Sequence, residues 1–196
     1  MKNFIQCILF FGFSISASAQ AYNFGDQVED FKLKNVDEKW VSLSDFKDAK
    51  GYVIVFTCNH CPYAKMYEER IIQLAKSAAK MDFKLIAINP NDADIVPEDS
   101  YENMVKLAKN KKYPFPYLID DKQTVFPKFG ASRTPQVYLL DAMKKLKYSG
   151  AIDDSPKDAS LVQTKYLENA MKSVQTGKDP DPQLTKAIGC SIKKKS

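Results

Sequence analysis

The sequence has only one histidine and four cysteines among its 196 residues. This scarcity excludes a histidine-rich metal site and a small scaffold held together by many disulfides. The excess of charge is also small, since 29 lysines and arginines stand against 24 aspartates and glutamates, a formal net charge of +5. Because basic and acidic residues are mixed along most of the chain, we expect no nucleic-acid partner.

The length and the composition fit one folded domain. Hydrophobic residues make up 44% of the chain and charged residues 27%, which is typical of a globular protein. A chain of 196 residues can bury one full core and is too short for two ordinary domains. We predict one domain over residues 20–177 and an irregular tail over 178–196 that contains Cys190.

The first 19 residues have the pattern of a secretory signal peptide. Lys2 precedes an apolar stretch over 4–15, and an A-x-A cleavage pattern follows at 17–19. The stretch is shorter than the roughly 20 residues that a membrane-spanning helix needs. We predict cleavage after Ala19, a periplasmic or otherwise exported protein, and no membrane span after cleavage. Cys7 would leave with the peptide, and disulfides can persist in such a compartment.

The hydrophobic pattern predicts an α/β fold with a central mixed sheet, helices on both faces and an N-terminal β-hairpin. The strand–helix–strand unit over 52–88 implies two parallel strands. Asp99 or Ser100 is expected to cap the second helix, and Gly177 to end the last one. The predicted segments are the hairpin at 31–43, strands at 52–57, 84–88, 136–140 and 145–148, and helices after 61, up to about 111 and over 159–176.

Cys58-Asn59-His60-Cys61 follows a buried strand and opens a helix. Unpaired N–H groups and the positive end of the helix dipole stabilise a thiolate there, and the first thiol of such motifs has a pKa of roughly 3.5–7.5 instead of about 8.5. We therefore expect Cys58, at the exposed mouth, to attack and Cys61 to resolve the mixed disulfide. His60 is either an imidazolium that favours the thiolate or an exposed polar residue without a role.

Two other roles for the cysteine pair are less favoured. A zinc site needs more donors than Cys58, Cys61, His60 and the distant Cys190 readily supply. A purely structural disulfide across two residues would restrain very little of the unfolded chain. We expect neither a metal ion nor a cofactor.

These motifs together resemble the thioredoxin-like superfamily, and most closely its exported redoxin branch of peroxiredoxin-like and cytochrome-maturation thioredoxins. The resemblance implies a thioredoxin-like fold, a redox-active Cys58–Cys61 pair and a cis Pro135 beside it. The strand over 52–57 lacks the buried acid that many thioredoxins use as a proton acceptor. The resemblance is carried by residues 24–33, 41–46, 55–63, 133–135, 150–154 and 189–193, and the neighbours it implies for the active site are Asn59, His60, Pro62, Arg133 and Thr134.

Three functions follow from this resemblance. The leading one is an exported thiol–disulfide oxidoreductase that acts on protein thiols and disulfides, with an unidentified electron donor or acceptor. The second is a thiol peroxidase, because Cys61-Pro62 resembles the end of the P-x-x-x-[ST]-x-x-C motif and Arg133 would assist a peroxide. Ile54 and Cys58 replace the other motif residues, which disfavours it. The third is a metal-binding or copper-delivery protein, disfavoured by the short cysteine spacing and the lone histidine.

Cys190 lies in Gly189-Cys190-Ser191-Ile192, and three roles are open to it. It would be a buried small hydrophobe beside Ile188 and Ile192, a link to another chain, or a third redox cysteine. The first role is favoured because the two isoleucines would anchor the tail on the domain.

Overall fold

The computed structural model describes residues 21–195. The predicted signal peptide, its cleavage site and Cys7 lie outside these residues. The strands are β1 Lys32–Asn35, β2 Trp40–Ser42, β3 Gly51–Phe56, β4 Phe83–Asn89, β5 Tyr117–Ile119, β6 Arg133–Thr134, β7 Gln136–Asp141, β8 Leu146–Gly150 and β9 Cys190–Ser191. The α-helices are α1 Pro62–Ala79, α2 Tyr101–Lys111, α3 Phe126–Phe129 and α4 Tyr166–Gln175, and 3₁₀ turns cover Leu43–Asp45, Pro97–Asp99 and Ala159–Leu161.

One seven-stranded sheet forms the centre of the molecule, with the strand order β2-β1-β5-β4-β3-β7-β8. The β3–β4 and β4–β5 pairs are parallel, and the other neighbours are antiparallel. The prediction of an α/β fold with a mixed sheet and an N-terminal hairpin is confirmed. Within this sheet the prediction left out one strand, β5, which follows two prolines and completes the parallel part of the sheet.

Both faces of the sheet are covered, by helices of unequal length. Side chains alternate along β3, so that Val53 and Val55 face one core cluster and Ile54 and Phe56 face the other. The first cluster contains residues of α1, α2 and α4, and the second contains α3 and the 3₁₀ turn Leu43–Asp45. Every residue of β3 is buried, which explains its continuous apolar sequence.

A largely buried ion pair fixes helix α1 to the segment that follows the edge strand β8. Asp153, which follows β8, accepts hydrogen bonds from the Tyr67 hydroxyl at 2.8 Å and from the Arg70 guanidinium at 2.8 and 3.0 Å. The Arg70 guanidinium also lies over the Tyr67 ring, 3.7 Å from its centre. These contacts give the sequence block at 150–154 a structural role, since they orient the helix that follows the cysteine motif.

The last helix differs from the prediction. It was expected over 159–176, but only a 3₁₀ turn forms at Ala159–Leu161, and α4 starts at Tyr166. The Asp158 side chain accepts the Ser160 N–H and caps this turn, which ends at once in extended backbone at Val162. Helix α4 ends before Gly177, whose φ of +75° suits a glycine after a helix.

The tail over 178–195 is mostly irregular, but its end is ordered by contacts with the domain. Strand β9 pairs antiparallel with β6, and Thr134 lies opposite Cys190. The Ile192 N–H donates to Ser132 O at 3.1 Å, and the Lys193 N–H donates to Asn91 Oδ1 at 2.8 Å. Within residues 21–195, the helices are all too short or too polar to cross a membrane.

Candidate active site

The cysteine motif lies in the loop between β3 and α1, at the carboxyl end of the parallel strands. Helix α1 begins at Pro62, which has no N–H to leave unpaired, and Cys61 is its N-cap residue. The predicted placement of Cys58 at the helix start is therefore wrong. The proline begins the helix after the motif, so that the helix N-terminus faces Cys61.

Both sulfurs of the motif are buried, and both are free thiols. Cys58 is 5% exposed and Cys61 is 0% exposed. The expectation that Cys58 lies at an exposed mouth is therefore wrong for this conformation. Cys58 is nevertheless the sulfur of the pair that solvent reaches.

Thr134 contacts both sulfurs. Its peptide bond to Pro135 is cis, as the resemblance implies. The Thr134 hydroxyl lies 3.2 Å from Cys58 Sγ, and Cys61 Sγ donates to the Thr134 carbonyl oxygen at 3.2 Å. The hydroxyl can donate to a thiolate at Cys58, and the carbonyl can accept from a thiol at Cys61.

The two thiols share a hydrogen bond that separates their pKa values. This bond lowers the pKa of Cys61, helped by the N–H groups of Ala64 and Cys190. The same bond, together with burial, raises the pKa of Cys58. The lowered pKa therefore lies at Cys61 and not, as predicted, at Cys58, because Cys61 accepts the hydrogen bond of the Cys58 thiol and the N–H groups of Ala64 and Cys190.

His60 is held beside Cys58 by a buried carboxylate that the sequence analysis missed. His60 Nδ1 lies 2.5 Å from Asp99 Oδ2 and 3.7 Å from Cys58 Sγ. Because a carboxylate accepts, His60 Nδ1 carries a hydrogen and donates it to Asp99, while Cys58 Sγ lies next to the same N–H group at the longer distance. His60 thus has a defined contact with the cysteine pair and is not a free polar residue.

Asp99 is 0% exposed, and both of its carboxylate oxygens are fully used. Oδ1 accepts the N–H groups of Asn59 at 2.7 Å and His60 at 3.1 Å. Oδ2 accepts from His60 and, at 2.7 Å, from Asn91 Nδ2. Of the two caps predicted for α2, Ser100 is the N-cap residue, and the Asp99 side chain turns to the cysteine loop instead.

Strand β3 lacks a buried acid, but the 3₁₀ turn Pro97–Asp99 places one, Asp99, beside the cysteine loop. The sequence did contain one signal, because Asn89 ends β4, the parallel neighbour of β3, and Asn91 follows it. Polar side chains at adjacent carboxyl ends of parallel strands meet at one edge of the sheet. Nothing in the sequence pattern placed Asp99 there.

Asn59 fixes the other side of the loop. Its Nδ2 donates to Glu98 O at 2.9 Å, and its Oδ1 accepts from the Tyr117 hydroxyl at 2.9 Å. A cavity of about 10 Å³ between Cys58, Asn59 and Tyr117 has room for about one water molecule. The loop is therefore held from both sides, with little free space beside the sulfur.

Arg133 does not face the cysteine pair in this structure. Its guanidinium donates to Gly189 O at 3.2 Å and reaches Ser191 Oγ at 3.5 Å, so its hydrogen bonds among residues 21–195 go to the tail. Arg133 thus fastens β9 instead of pointing to a sulfur.

Cys190 packs against the two motif cysteines. The pairing of β9 with β6 places it against Cys58, Cys61 and Ala64, and it is half-buried. The favoured interpretation, a buried small hydrophobe beside Ile188 and Ile192, is wrong because Cys190 is only half-buried and packs against the motif cysteines, whereas Ile192 packs into another core cluster. The assumption that Cys190 is distant from the motif is also wrong, because the pairing of β9 with β6 brings it to the motif cysteines.

Cys58, His60 and Asp99 form a group whose potential metal-ligating atoms lie within 4.8 Å of one another. The carboxylate already accepts from four N–H groups, and His60 Nδ1 points its hydrogen at it. A metal ion would have to break these bonds. The donor set is therefore that of a hydrogen-bond network.

Close backbone contact at Gly189 makes the tail sensitive to one methyl group. A Cβ added there would lie 2.2 Å from the Thr134 carbonyl oxygen, well inside van der Waals contact. We expect Gly189→Ala to lift β9 from β6 and to make the Cys190 thiol react faster with an alkylating reagent in the native protein. Lys186→Ala, a substitution at an exposed residue of the same tail, is the control. Equal alkylation rates in Gly189→Ala and wild type would contradict this close contact.

Comparison with known proteins supports a redox site. The AhpC/TSA family model matches residues 24–149. The structure of an uncharacterized conserved protein from Geobacillus kaustophilus is 39% identical, with a TM-score of 0.82 over 88% of this chain and 93% of that one. A hypothetical protein from Sinorhizobium meliloti 1021 is 32% identical, with a TM-score of 0.83 over 90% and 97%. No curated protein matches the chain.

A third solved structure is more distant in sequence. The peroxidoxin BcpB from Mycobacterium tuberculosis is 20% identical, with a TM-score of 0.60 over 78% of this chain and 96% of that one. At this identity the similarity concerns the fold.

Proposed function

The chain belongs to the AhpC/TSA family, with a thioredoxin-like fold and a thiol redox function, and on that premise we propose that it is a thiol–disulfide oxidoreductase acting on protein substrates. The observation that carries this proposal is the hydrogen-bonded pair of Cys58 and Cys61, both in contact with Thr134. One thiol of this pair is reached by solvent, and the other is fully buried. Such a pair provides an attacking sulfur and a resolving sulfur.

The first step is the attack of Cys58 on a substrate disulfide. Access decides which sulfur attacks, because Cys61 has no exposed surface. As Cys58 Sγ bonds to one substrate sulfur, its proton passes along the shared hydrogen bond to the Cys61 thiolate, and the second substrate sulfur leaves as a thiolate. Cys61, now a thiol, donates its hydrogen to the Thr134 carbonyl oxygen.

The second step resolves the mixed disulfide. Cys61 Sγ attacks Cys58 Sγ, the bond to the substrate breaks, and the proton of Cys61 leaves with the substrate thiol. Two electrons have then moved from the pair to the substrate. The reverse reaction oxidises a substrate dithiol. An unidentified electron donor or acceptor then restores the starting state of the cysteine pair.

His60 and Asp99 act on this exchange in opposite directions. The partial positive charge of the His60 Nδ1–H group, 3.7 Å from Cys58 Sγ, stabilises a thiolate there, which favours the reduced protein. The negative charge of Asp99 raises the pKa of Cys58 and opposes it. Asp99 therefore serves mainly as a positioning residue that fixes the ring and the loop.

We expect a reduction potential on the oxidising side of about −270 mV, the value typical of thioredoxin. Replacing His60 by alanine removes the hydrogen-bond donor and should lower the potential by about 30 mV, a tenfold change in the equilibrium constant. Equilibration with glutathione measures it, and His60→Gln, which keeps an N–H donor, should fall between the two. A wild-type potential of about −270 mV or below, unchanged in His60→Ala, would reject the role of His60.

A second candidate function is a thiol peroxidase that uses Cys61. The lowered pKa of Cys61 at the N-cap of α1 favours it. Against it, Cys61 is fully buried, the hydroxyl of Thr134 faces Cys58, and Arg133 is engaged by the tail. A peroxide would require the tail to move.

A parallel assay separates the two functions. We expect the reduced protein to reduce the disulfides of insulin with a thiol donor, and the Cys58→Ser/Cys61→Ser double variant to be inactive. Hydrogen peroxide should be consumed much more slowly than insulin is reduced. Rapid peroxide consumption without insulin reduction would replace the proposed function by the second candidate.

We also propose that the protein is exported and acts after removal of residues 1–19. The apolar stretch and the A-x-A pattern support this proposal. N-terminal sequencing of the protein isolated from its own cells should begin at Gln20. A full-length chain that begins at Met1 or Lys2 and fractionates with the cytosol would contradict it.

A further inference from the structure

We propose that Cys190 is a third redox-active thiol, which exchanges with the Cys58–Cys61 disulfide by bonding to Cys61. This inference rests on the proposed function, because that disulfide is its starting state. It adds a second disulfide, Cys61–Cys190, and a second sulfur at which a redox partner can react.

Strand pairing places Cys190 at the site. Thr134, whose two oxygen atoms contact Cys58 and Cys61, lies directly opposite Cys190 in the β6–β9 ladder. The approach depends on Gly189, because a side chain there would collide with the Thr134 carbonyl. The sulfur therefore belongs to the same cluster as the motif cysteines.

Several contacts on both sides of the cysteine hold the tail in this position. On one side, Arg133 binds Gly189 O. On the other, the Lys193 N–H donates to Asn91 Oδ1 and Lys193 O accepts the Asp92 N–H at 3.0 Å. The placement of Cys190 is thus fixed by the fold and is not that of a free chain end.

Cys61 is the central sulfur of the three. It is fully buried in the cysteine cluster, Cys190 packs against that cluster, and the thiols of Cys58 and Cys190 both contribute to the lowered pKa of Cys61. Cys61 can therefore bond to either neighbour without a change in the order of the strands. Cys58 and Cys190 are alternative partners for the same atom.

The protonation of Cys190 is linked to the oxidation state of Cys61. In the reduced protein, burial raises the pKa of Cys190, and the hydrogen bond to Cys61 and the charge on Cys61 raise it further, to about 11. The last two causes disappear when Cys61 enters a disulfide, because its sulfur then carries no charge. The nearby Lys193 ammonium, which lowers the pKa of Cys190, remains. Oxidation of the pair therefore activates Cys190.

The exchange step balances without another reactant. The Cys190 thiolate attacks Cys61 Sγ, the Cys61–Cys190 bond forms and the Cys58–Cys61 bond breaks. Cys58 leaves as a thiolate beside the Thr134 hydroxyl and takes up a proton in place of the one that Cys190 lost. The number of disulfides is unchanged, and the oxidised bond has moved from the sulfur beside His60 to the half-buried sulfur of the tail.

The test uses the mature chain with Cys58→Ser, equilibrated with mixtures of reduced and oxidised glutathione. We expect an intramolecular Cys61–Cys190 disulfide, identified by peptide mapping after the free thiols are blocked, in a protein that stays monomeric. The control is the Cys58→Ser/Cys190→Ser double variant, which should keep Cys61 as a thiol or a glutathione adduct. Two free thiols, glutathione adducts alone or disulfide-linked dimers in Cys58→Ser would overturn the proposal.

Mapping of the wild type gives an independent reading that does not depend on how the variant folds. Partly oxidised wild-type protein, quenched with acid, should contain both Cys58–Cys61 and Cys61–Cys190 linked peptides. If Cys61–Cys190 is absent at every glutathione ratio, the proposal fails, while the proposed function is unaffected as long as Cys58–Cys61 forms and insulin is reduced. If insulin is not reduced but Cys61–Cys190 forms, the proposed function fails instead.

Discussion

Replacing Cys61 by serine is expected to leave a stable mixed disulfide between Cys58 and the substrate and to reduce turnover to the uncatalysed rate. The reason is that Cys58 retains some exposed surface, whereas Cys61 is fully buried and packs in one cluster with Cys58 and Cys190. Without Cys61 the bond to the substrate has no resolving thiol beside it. The measurement is the amount of covalent complex with a model protein disulfide, seen by non-reducing electrophoresis and mapped to Cys58.

Two companion variants make this trapping experiment decisive. Cys58→Ser should trap little substrate, because the remaining Cys61 cannot be reached. Cys61→Ser combined with Cys190→Ser removes the other thiol of the cluster and shows whether Cys190 resolves part of the complex. Equal trapping through Cys61 in Cys58→Ser would reverse the roles of the two cysteines and favour the peroxidase interpretation.

The second large effect is expected at Asp99, which no motif identifies. Its carboxylate is fully buried and accepts two backbone N–H groups, His60 and Asn91. Asp99→Ala would leave these donors without a partner, and hydrogen bonds to charged groups are worth about 1.5–3 kcal/mol each. We expect the variant to lose roughly 3 kcal/mol of unfolding free energy and to slow disulfide exchange, because His60 and the loop are no longer held.

Urea unfolding measures the loss of stability, with the slope of the transition checked against wild type. The matched control is Glu98→Ala, which removes the adjacent but exposed carboxylate and should change the stability by less than about 0.5 kcal/mol. Asp99→Asn retains one acceptor oxygen and should lie between the two. A variant Asp99→Ala as stable as Glu98→Ala would show that the network is not needed for the fold.

Local sequence was enough to predict the scaffold and the chemistry. The apolar residues of β3 form a strand because the whole segment is buried under helices on one face and α3 on the other. The position of the cysteine motif between β3 and α1, and of Thr134-Pro135 before β7, follows from the neighbouring strand and helix patterns. These are short-range properties, set by the period of the hydrophobic residues and by proline.

What the tertiary structure alone decided is which distant residues surround the sulfurs. Asp99 looks in sequence like a helix cap, yet its side chain lies under a loop 40 residues earlier in the chain. Cys190 looks like a residue of an irregular tail, yet β-pairing brings it to a motif more than 100 residues away. Even the environment of Cys61 depends on this pairing, because the tail brings the Cys190 thiol and N–H group to its sulfur. Such contacts depend on the order of strands in the sheet and on the path of the tail across it, and the local hydrophobic period contains neither.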